Sequence, residues 1–160
     1  MNSPQPAAEN DWIVLTREAL PVEQAAKSVT DPRSGGIAVF VGTTRAEVND
    51  RGEPLVALDY EAYPEMALEQ MRDLARRARQ RWPIVRLAIL HAVGRVPLGE
   101  PSVIIAVACA HRGEAFDACE WLIDTLKAEV AIWKKEIWSD GSGTWVDSNP
   151  SPSPSGRGSG

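Results

Sequence analysis

The sequence has little of what several classes of protein require. It contains only two cysteines and two histidines in 160 residues, and none of them lies in a CxxC or paired His/Cys spacing. No apolar run approaches the 18 residues of a membrane-spanning helix. The net charge is -5, whereas proteins that bind nucleic acids or anionic membranes generally carry a surplus of lysine and arginine. The sequence therefore predicts no metal site, no cofactor, no nucleic-acid partner and no membrane association.

The amino terminus, MNSPQPAAEND, has neither a basic start nor an apolar stretch of signal-peptide length, so a cytoplasmic protein is expected. Residues 1–10 and the Ser/Pro/Gly-rich residues 147–160 cannot bury a core and are predicted to be disordered tails. The remainder, residues 11–146, has the length and the apolar content of one domain.

Apolar patterns within that domain predict an α+β fold. Helical periodicity covers residues 21–29, 64–82 and about 113–136, and SDGSG at 139–143 indicates a hairpin turn. Strands are predicted at 12–16, 36–42, 55–60, 84–93 and 102–110. Because helices and strands mix in this order, we expect a single domain with helices packed on a mostly antiparallel sheet.

Two lysines lie in the third predicted helix, in LKAEVAIWKKE. At 100° per residue, Lys127 and Lys134 fall together on the flank of an apolar stripe, roughly 10 Å apart along the axis, whereas Lys135 points away. One interpretation is that both are solvent-facing lysines whose stems cover the core. The other is that a reaction needs two ammonium groups close together.

Two strand ends add further cations. The strand that ends in AVFVGTTR presents Thr43, Thr44 and Arg45, a set suited to binding an anion. The strand that ends in VACAHRG presents His111 and Arg112 at the start of the third helix. If these strand ends meet, they form a cationic pocket with the two lysines, and mutual repulsion lowers the pKa of at least one lysine. His91 lacks a paired ligand motif and is interpreted as a structural histidine.

Five segments in register resemble the large, catalytic subunit of molybdopterin synthase, over about residues 12–146. They are FVGTTR, LDYEAYPEMA, RWPIVRLAILHAVGRVPLGE, AHR and IDTLKAEVAIWKKEIW. The resemblance implies an α/β-hammerhead-like fold. It also implies that sulfur passes from the C-terminal Gly-Gly thiocarboxylate of a small ubiquitin-like subunit to cyclic pyranopterin monophosphate (precursor Z), which forms the dithiolene of molybdopterin. The implied assembly is a heterotetramer with a central homodimer of large subunits.

The resemblance also assigns roles to residues. It implies that Lys127 and Lys134 are catalytic and that part of the pocket comes from the neighbouring large subunit. The implied substrate-binding residues are Phe40, Thr43, Thr44, Arg45, His111, Arg112, Lys135 and Glu136.

Two matters stay open on the sequence. Ala131 stands where family members often have proline, and a straight helix through the site depends on that difference. A non-catalytic module that grips a ubiquitin-like tail is the alternative function. A third alternative, a phosphate-ester hydrolase, is disfavoured because the sequence has no visible nucleophile or metal motif.

Overall fold

The computed structural model describes residues 11–146, so the two predicted tails lie outside the described residues. Within that range the chain forms three helices and eight strands. In chain order they are β1 (Trp12–Thr16), α1 (Val22–Ser28), β2 (Gly36–Thr43), β3 (Leu55–Ala62), α2 (Pro64–Arg81), β4 (Ile84–Ala92), β5 (Gly94–Pro97), β6 (Pro101–Cys109), α3 (Arg112–Glu129), β7 (Ile132–Trp138) and β8 (Gly143–Val146). The predicted α+β class is confirmed.

The strands form two four-stranded sheets rather than one. The first has the order β1-β4-β6-β2, with β1 parallel to β4 and the other pairs antiparallel. The second has the order β5-β3-β7-β8 and is antiparallel throughout. β4 and β6 are central in the first sheet and buried on both faces, which explains why they are continuous apolar runs in the sequence.

Alternate residues of β4 and β6 enter two separate cores. Leu87 and Ile105 pack with α2 and α3, while Leu90 and Ile104 pack with α1 and with the second sheet. Successive side chains of a strand point to opposite faces, so one strand pair supplies both cores. None of the helices in residues 11–146 combines the length and hydropathy that a membrane crossing requires.

The third helix is shorter than predicted, because α3 ends at Glu129 and residues 132–138 form β7. The backbone of Val130 is already extended, with φ -81° and ψ 137°. β7 then pairs with β3 on one side and with β8 on the other, joined to β8 by the predicted hairpin turn. Trp133 and Ile137 fit a helical period by coincidence. Hydrogen bonding to β3 and β8 on the two sides of β7 favours the strand over a continuation of α3.

Ala131 lies in the turn that follows α3, and proline is expected to be tolerated there. The Ile132 N–H donates to the Val130 carbonyl at 2.8 Å, which makes Ala131 the central residue of a three-residue turn with negative φ. That φ is about -75° in such turns, close to the value the proline ring fixes. The extended Val130 also suits the position before a proline. The expectation that alanine at position 131 gives a straight helix through the site is therefore wrong, because the helix ends at Glu129.

We expect Ala131→Pro to lose only the hydrogen bond that the Ala131 N–H donates to Gln70 Oε1 at 2.7 Å. The loss should lower the free energy of unfolding by about 1 kcal/mol, as measured by chemical denaturation. Gln70→Ala is the matched control, because it removes the same bond without changing the turn. A much larger loss for the proline variant alone would contradict this account of the turn.

Candidate functional site

A cavity of about 640 Å³ opens between α3, the end of β2 and the second sheet. We call it the lysine cavity, because Lys127 and Lys134 both line it. Its apolar wall includes Leu58, Val103 and Leu126. The polar residues that line it are Thr43, Thr44, Arg45, Glu47, Tyr60, His91, Ser102, Lys127, Lys134 and Glu136.

The two lysines come together by a different route from the one predicted. Lys127 lies in the last turn of α3, whereas Lys134 lies on β7, on the same strand face as Glu136. The chain reverses between them at Val130–Ile132, so a turn replaces the predicted helix flank. Burial lowers the pKa of Lys134, and the neighbouring charge of Lys127 lowers it further. Lys134 therefore exchanges its proton more readily near neutral pH than a solvent-exposed lysine does.

The end of β2 contributes one wall of the lysine cavity. Phe40, Thr43, Thr44 and Arg45 all line it. The Thr44 carbonyl accepts a hydrogen bond from the Gly99 N–H at 3.1 Å, which fixes the loop. The Thr44 hydroxyl is buried and has no hydrogen-bond partner among the described residues. A buried hydroxyl without a partner costs about 1–3 kcal/mol, so a polar ligand in the cavity would be stabilised by it.

Two carboxylates balance part of this positive charge. Glu136 is the neighbour of Lys134 on the cavity face of β7, and burial together with the charge of Glu47 raises its pKa. Glu47 also lies 3.8 Å from Arg45 Nη2. The sequence reasoning missed Glu47, although its position two residues after Arg45 in the same loop is a usable signal.

The condition that the two cationic strand ends meet is not fulfilled within one chain. β2 and β6 are antiparallel, with Gly36 opposite Cys109 and Thr43 opposite Pro101. His111 and Arg112 therefore lie beside Gly36, at the far end of β2 from Thr43, roughly 24 Å away at 3.4 Å per residue. The sequence did not reveal the relative direction of these strands, and that direction decides which ends meet.

Lys135 also lies away from the lysine cavity. It follows Lys134 on β7 and so points to the other face of the second sheet. There its ammonium lies 5.0 Å from the ring centre of Trp145, a cation–π contact. The helical spacing from which the orientation of Lys135 was predicted is wrong, because residue 135 lies on a strand. Within residues 11–146 Lys135 is not among the residues that line the cavity, and the substrate-binding role that the resemblance implied for it stays a prediction.

His91 is more than the structural histidine that the sequence suggested. It is buried, and its Nδ1 lies 2.8 Å from the Ala92 carbonyl oxygen, yet its ring also lines the lysine cavity. Its ring centre is 5.0 Å from that of Tyr60, in an edge-to-face contact. Burial, with smaller contributions from the charges of Lys134 and Lys127, lowers its pKa to about 4.

Cysteine chemistry has no support at this site. Cys109 and Cys119 are free and buried, and neither lines the lysine cavity. Burial raises the pKa of Cys119 to about 11 and that of Cys109 in the same direction, so both remain thiols at neutral pH. In residues 11–146, no three His, Cys, Asp or Glu side chains are grouped to hold a metal ion.

Comparison with known proteins gives consistent matches. The family model described as MoaE protein matches residues 15–129. The molybdopterin synthase catalytic subunit of Homo sapiens is 45% identical over 135 residues, which cover 84% of this chain and 70% of that protein. The crystal structure of molybdopterin synthase from Staphylococcus aureus superposes with a TM-score of 0.77 at 32% identity, covering 82% of this chain and 94% of that one.

A further solved structure shares the fold alone. It is the protein–protein complex of subunits 1 and 2 of molybdopterin-converting factor from Helicobacter pylori 26695. Its TM-score is 0.68 at 21% identity, and the match covers 86% of this chain and 90% of that one.

Proposed function

Because the chain belongs to the MoaE protein family, we propose that it is the catalytic subunit of a molybdopterin synthase. It transfers sulfur from the C-terminal thiocarboxylate of a small ubiquitin-like subunit to cyclic pyranopterin monophosphate, forming the dithiolene of molybdopterin. The observation that carries the proposal is the lysine cavity, which holds both lysines and the threonines and arginine that follow β2.

The charge of the cavity suits two anionic reactants. A thiocarboxylate and a cyclic phosphate repel each other, so bringing them together requires fixed positive charge in a site that excludes bulk water. Lys127, Lys134 and Arg45 supply that charge in a protein whose net charge is -5. The Thr44 hydroxyl offers a hydrogen bond that no described side chain or backbone group satisfies.

The two lysines have complementary chemical roles. Releasing sulfur from an acyl carrier passes through a tetrahedral oxyanion, and an ammonium group directed at that oxygen stabilises it. Lys127 is exposed at the cavity wall and serves this electrostatic role. Lys134 has a lowered pKa, so it serves as the group that gives or takes a proton.

A homodimer would complete the cavity with residues that the single chain leaves distant. β2 is the edge strand of the first sheet, and its Ile37, Val39 and Phe40 are 42%, 40% and 37% exposed. A two-fold axis across β2 would set the Gly36 end of one copy beside the Thr43 end of the other. His111 and Arg112 of the partner subunit would then approach Arg45, which agrees with their implied substrate-binding role.

The small subunit is the second partner, and its tail is the proposed occupant of the cavity. A C-terminal Gly-Gly segment has no side chains, so it is narrow enough to enter a cavity with an apolar wall of Leu58, Val103 and Leu126. Two large subunits at the centre and one small subunit at each end form the proposed heterotetramer. Each tail then delivers sulfur without any reactive cysteine in this chain.

Purified protein mixed with thiocarboxylated small subunit and precursor Z should form molybdopterin, detected by fluorescence of its oxidised derivative. Small subunit with an ordinary carboxylate terminus is the matched control and should give no product. Tight binding of the small subunit without any product would instead favour the non-catalytic tail-binding module.

A further inference from the structure

We propose that Glu47 competes with anionic ligands for Arg45: its carboxylate pairs with the guanidinium until the cyclic phosphate of precursor Z takes its place. This inference rests on the proposed function, because the phosphate that displaces Glu47 belongs to the proposed substrate. Neither the residue patterns nor the family resemblance assigned a role to Glu47, and its role follows from its place in the fold.

The loop after β2 holds Glu47 beside the lysine cavity. The Glu47 carbonyl accepts a hydrogen bond from the Leu55 N–H at 2.8 Å, where β3 begins. Val48 and Pro54 form a β-bridge that closes the segment between them. The Arg51 guanidinium donates hydrogen bonds of 3.2 and 3.0 Å to two side chains in the turn between β7 and β8. The backbone at Glu47 is therefore fixed next to the cavity that this residue lines.

Glu47 forms an ion pair with Arg45 that an anionic ligand can displace. Glu47 Oε2 lies 3.8 Å from Arg45 Nη2, which is too long for a hydrogen bond. The Arg45 and Glu47 side chains are 87% and 43% exposed, and ion pairs in contact with solvent contribute little free energy. Since this pair includes no hydrogen bond, the planar fork of N–H donors on Arg45 stays available to phosphate oxygens, which it can bind two at a time. A phosphate at Arg45 therefore replaces a weak charge contact with stronger, charge-assisted hydrogen bonds.

The charge of Glu47 also acts on the second sheet. The pKa of Glu136 on β7 is raised by burial and then by the charge of Glu47. The pKa of Lys134 is lowered by burial and by the charge of Lys127, and the charges of Glu136 and Glu47 oppose that lowering. An anion that enters the cavity therefore meets repulsion from Glu47 as well as attraction from the lysines and Arg45.

The competition sets a threshold for anion binding. Inorganic phosphate has only the contacts of its own oxygens to offset the loss of the Glu47–Arg45 pair. Precursor Z also has a pyranopterin ring system, which gains further contacts in a cavity of about 640 Å³. Glu47 therefore keeps inorganic phosphate out of the cavity at concentrations at which precursor Z still binds.

Glu47→Gln removes the charge and keeps the size of the side chain. We expect it to lower the dissociation constant for inorganic phosphate about threefold, measured by phosphorus-31 NMR titration at fixed ionic strength. The inhibition constant of phosphate against precursor Z, measured with the small subunit present, should fall by a similar factor. Because the expected change is tighter binding, damage to the fold does not imitate it.

Asp50→Asn is the matched control. Asp50 is exposed in the same loop and is not among the residues that line the lysine cavity. The substitution removes the same charge, and phosphate binding should stay at the wild-type level. A gain as large as that of Glu47→Gln would trace the effect to net charge and would overturn the role of Glu47.

The Arg45→Ala background tests whether Glu47 acts through Arg45. Added to Arg45→Ala, Glu47→Gln should strengthen phosphate binding far less than it does in the wild type, because the group for which the two anions compete is gone. An equal gain in both backgrounds would mean that Glu47 acts only through the overall charge of the cavity, which would overturn the competition.

The outcomes distinguish this inference from the proposed function, because the phosphate titration does not depend on turnover. Wild-type protein that forms no molybdopterin would overturn the proposed function itself. An active wild type whose dissociation constant for phosphate is unchanged by Glu47→Gln, or phosphate that binds neither protein, would overturn only the role of Glu47.

Discussion

Lys127→Ala is expected to abolish molybdopterin formation while leaving the fold intact. The side chain is exposed in the last turn of α3, and alanine is a good helix former, so the free energy of unfolding should change by less than about 0.5 kcal/mol. Lys127 also lines the cavity in which we propose that charge develops during the reaction. Losing its ammonium group should lower the rate constant for single-turnover formation of molybdopterin by about a thousandfold.

Lys27→Ala is the matched control for that experiment. Lys27 is also exposed in the last turn of a helix, α1, and its nearest carboxylate is Glu23 at 3.7 Å. Removing it deletes the same charge from an equivalent helical position outside the lysine cavity, and activity should stay at the wild-type level. Full activity of the Lys127→Ala protein would contradict the proposed mechanism. Equal losses of activity in the Lys127→Ala and Lys27→Ala proteins would point to a nonspecific effect of net charge.

The identities of the cavity residues were more accessible from the sequence than their geometry. Strand and helix periods predicted most elements to within a few residues, because β4, β6 and α2 carry long, regular apolar patterns. In the segment from Val130 to Ile137 the apolar residues follow a helical period, so the predicted helix was extended through it. The pairing of β7 with β3 and β8 makes it a strand instead, and such pairing is a long-range property that local spacing does not contain.

Other parts of the site depended on long-range contacts in the same way. β5 was missed because the predicted strand ends at residue 93, and the short GRVP segment that begins at Gly94, with a φ of 84°, carries no apolar run of its own. Tyr60 and His91 reach the lysine cavity from different sheets, and neither carries a motif. The sequence named Arg45 and Arg112 as one cluster, but the antiparallel pairing of β2 with β6 separates them within one chain. In the proposed dimer, Arg112 reaches the cavity from the partner subunit instead.

A dimer that joins Lys127→Ala to Arg112→Ala should regain about half of the wild-type activity, although each variant alone is nearly inactive. If Arg112 acts across the interface, one cavity of this mixed dimer has lost both residues and the other has lost neither. Differently tagged chains, co-expressed and purified through both tags, provide the mixed dimer, and molybdopterin formation per cavity measures the recovery.

The control is a mixed dimer of Lys127→Ala with Arg45→Ala, two residues that line one cavity within a single chain. Each of its cavities has lost one residue, so it should stay inactive. Recovery in the first dimer and not in the second would locate Arg112 of the partner subunit at the cavity. No recovery in either dimer would mean that Arg112 acts elsewhere. Since Arg112 lies beside the Gly36 end of β2 and Arg45 follows its Thr43 end, no small movement within a single chain could then bring them together.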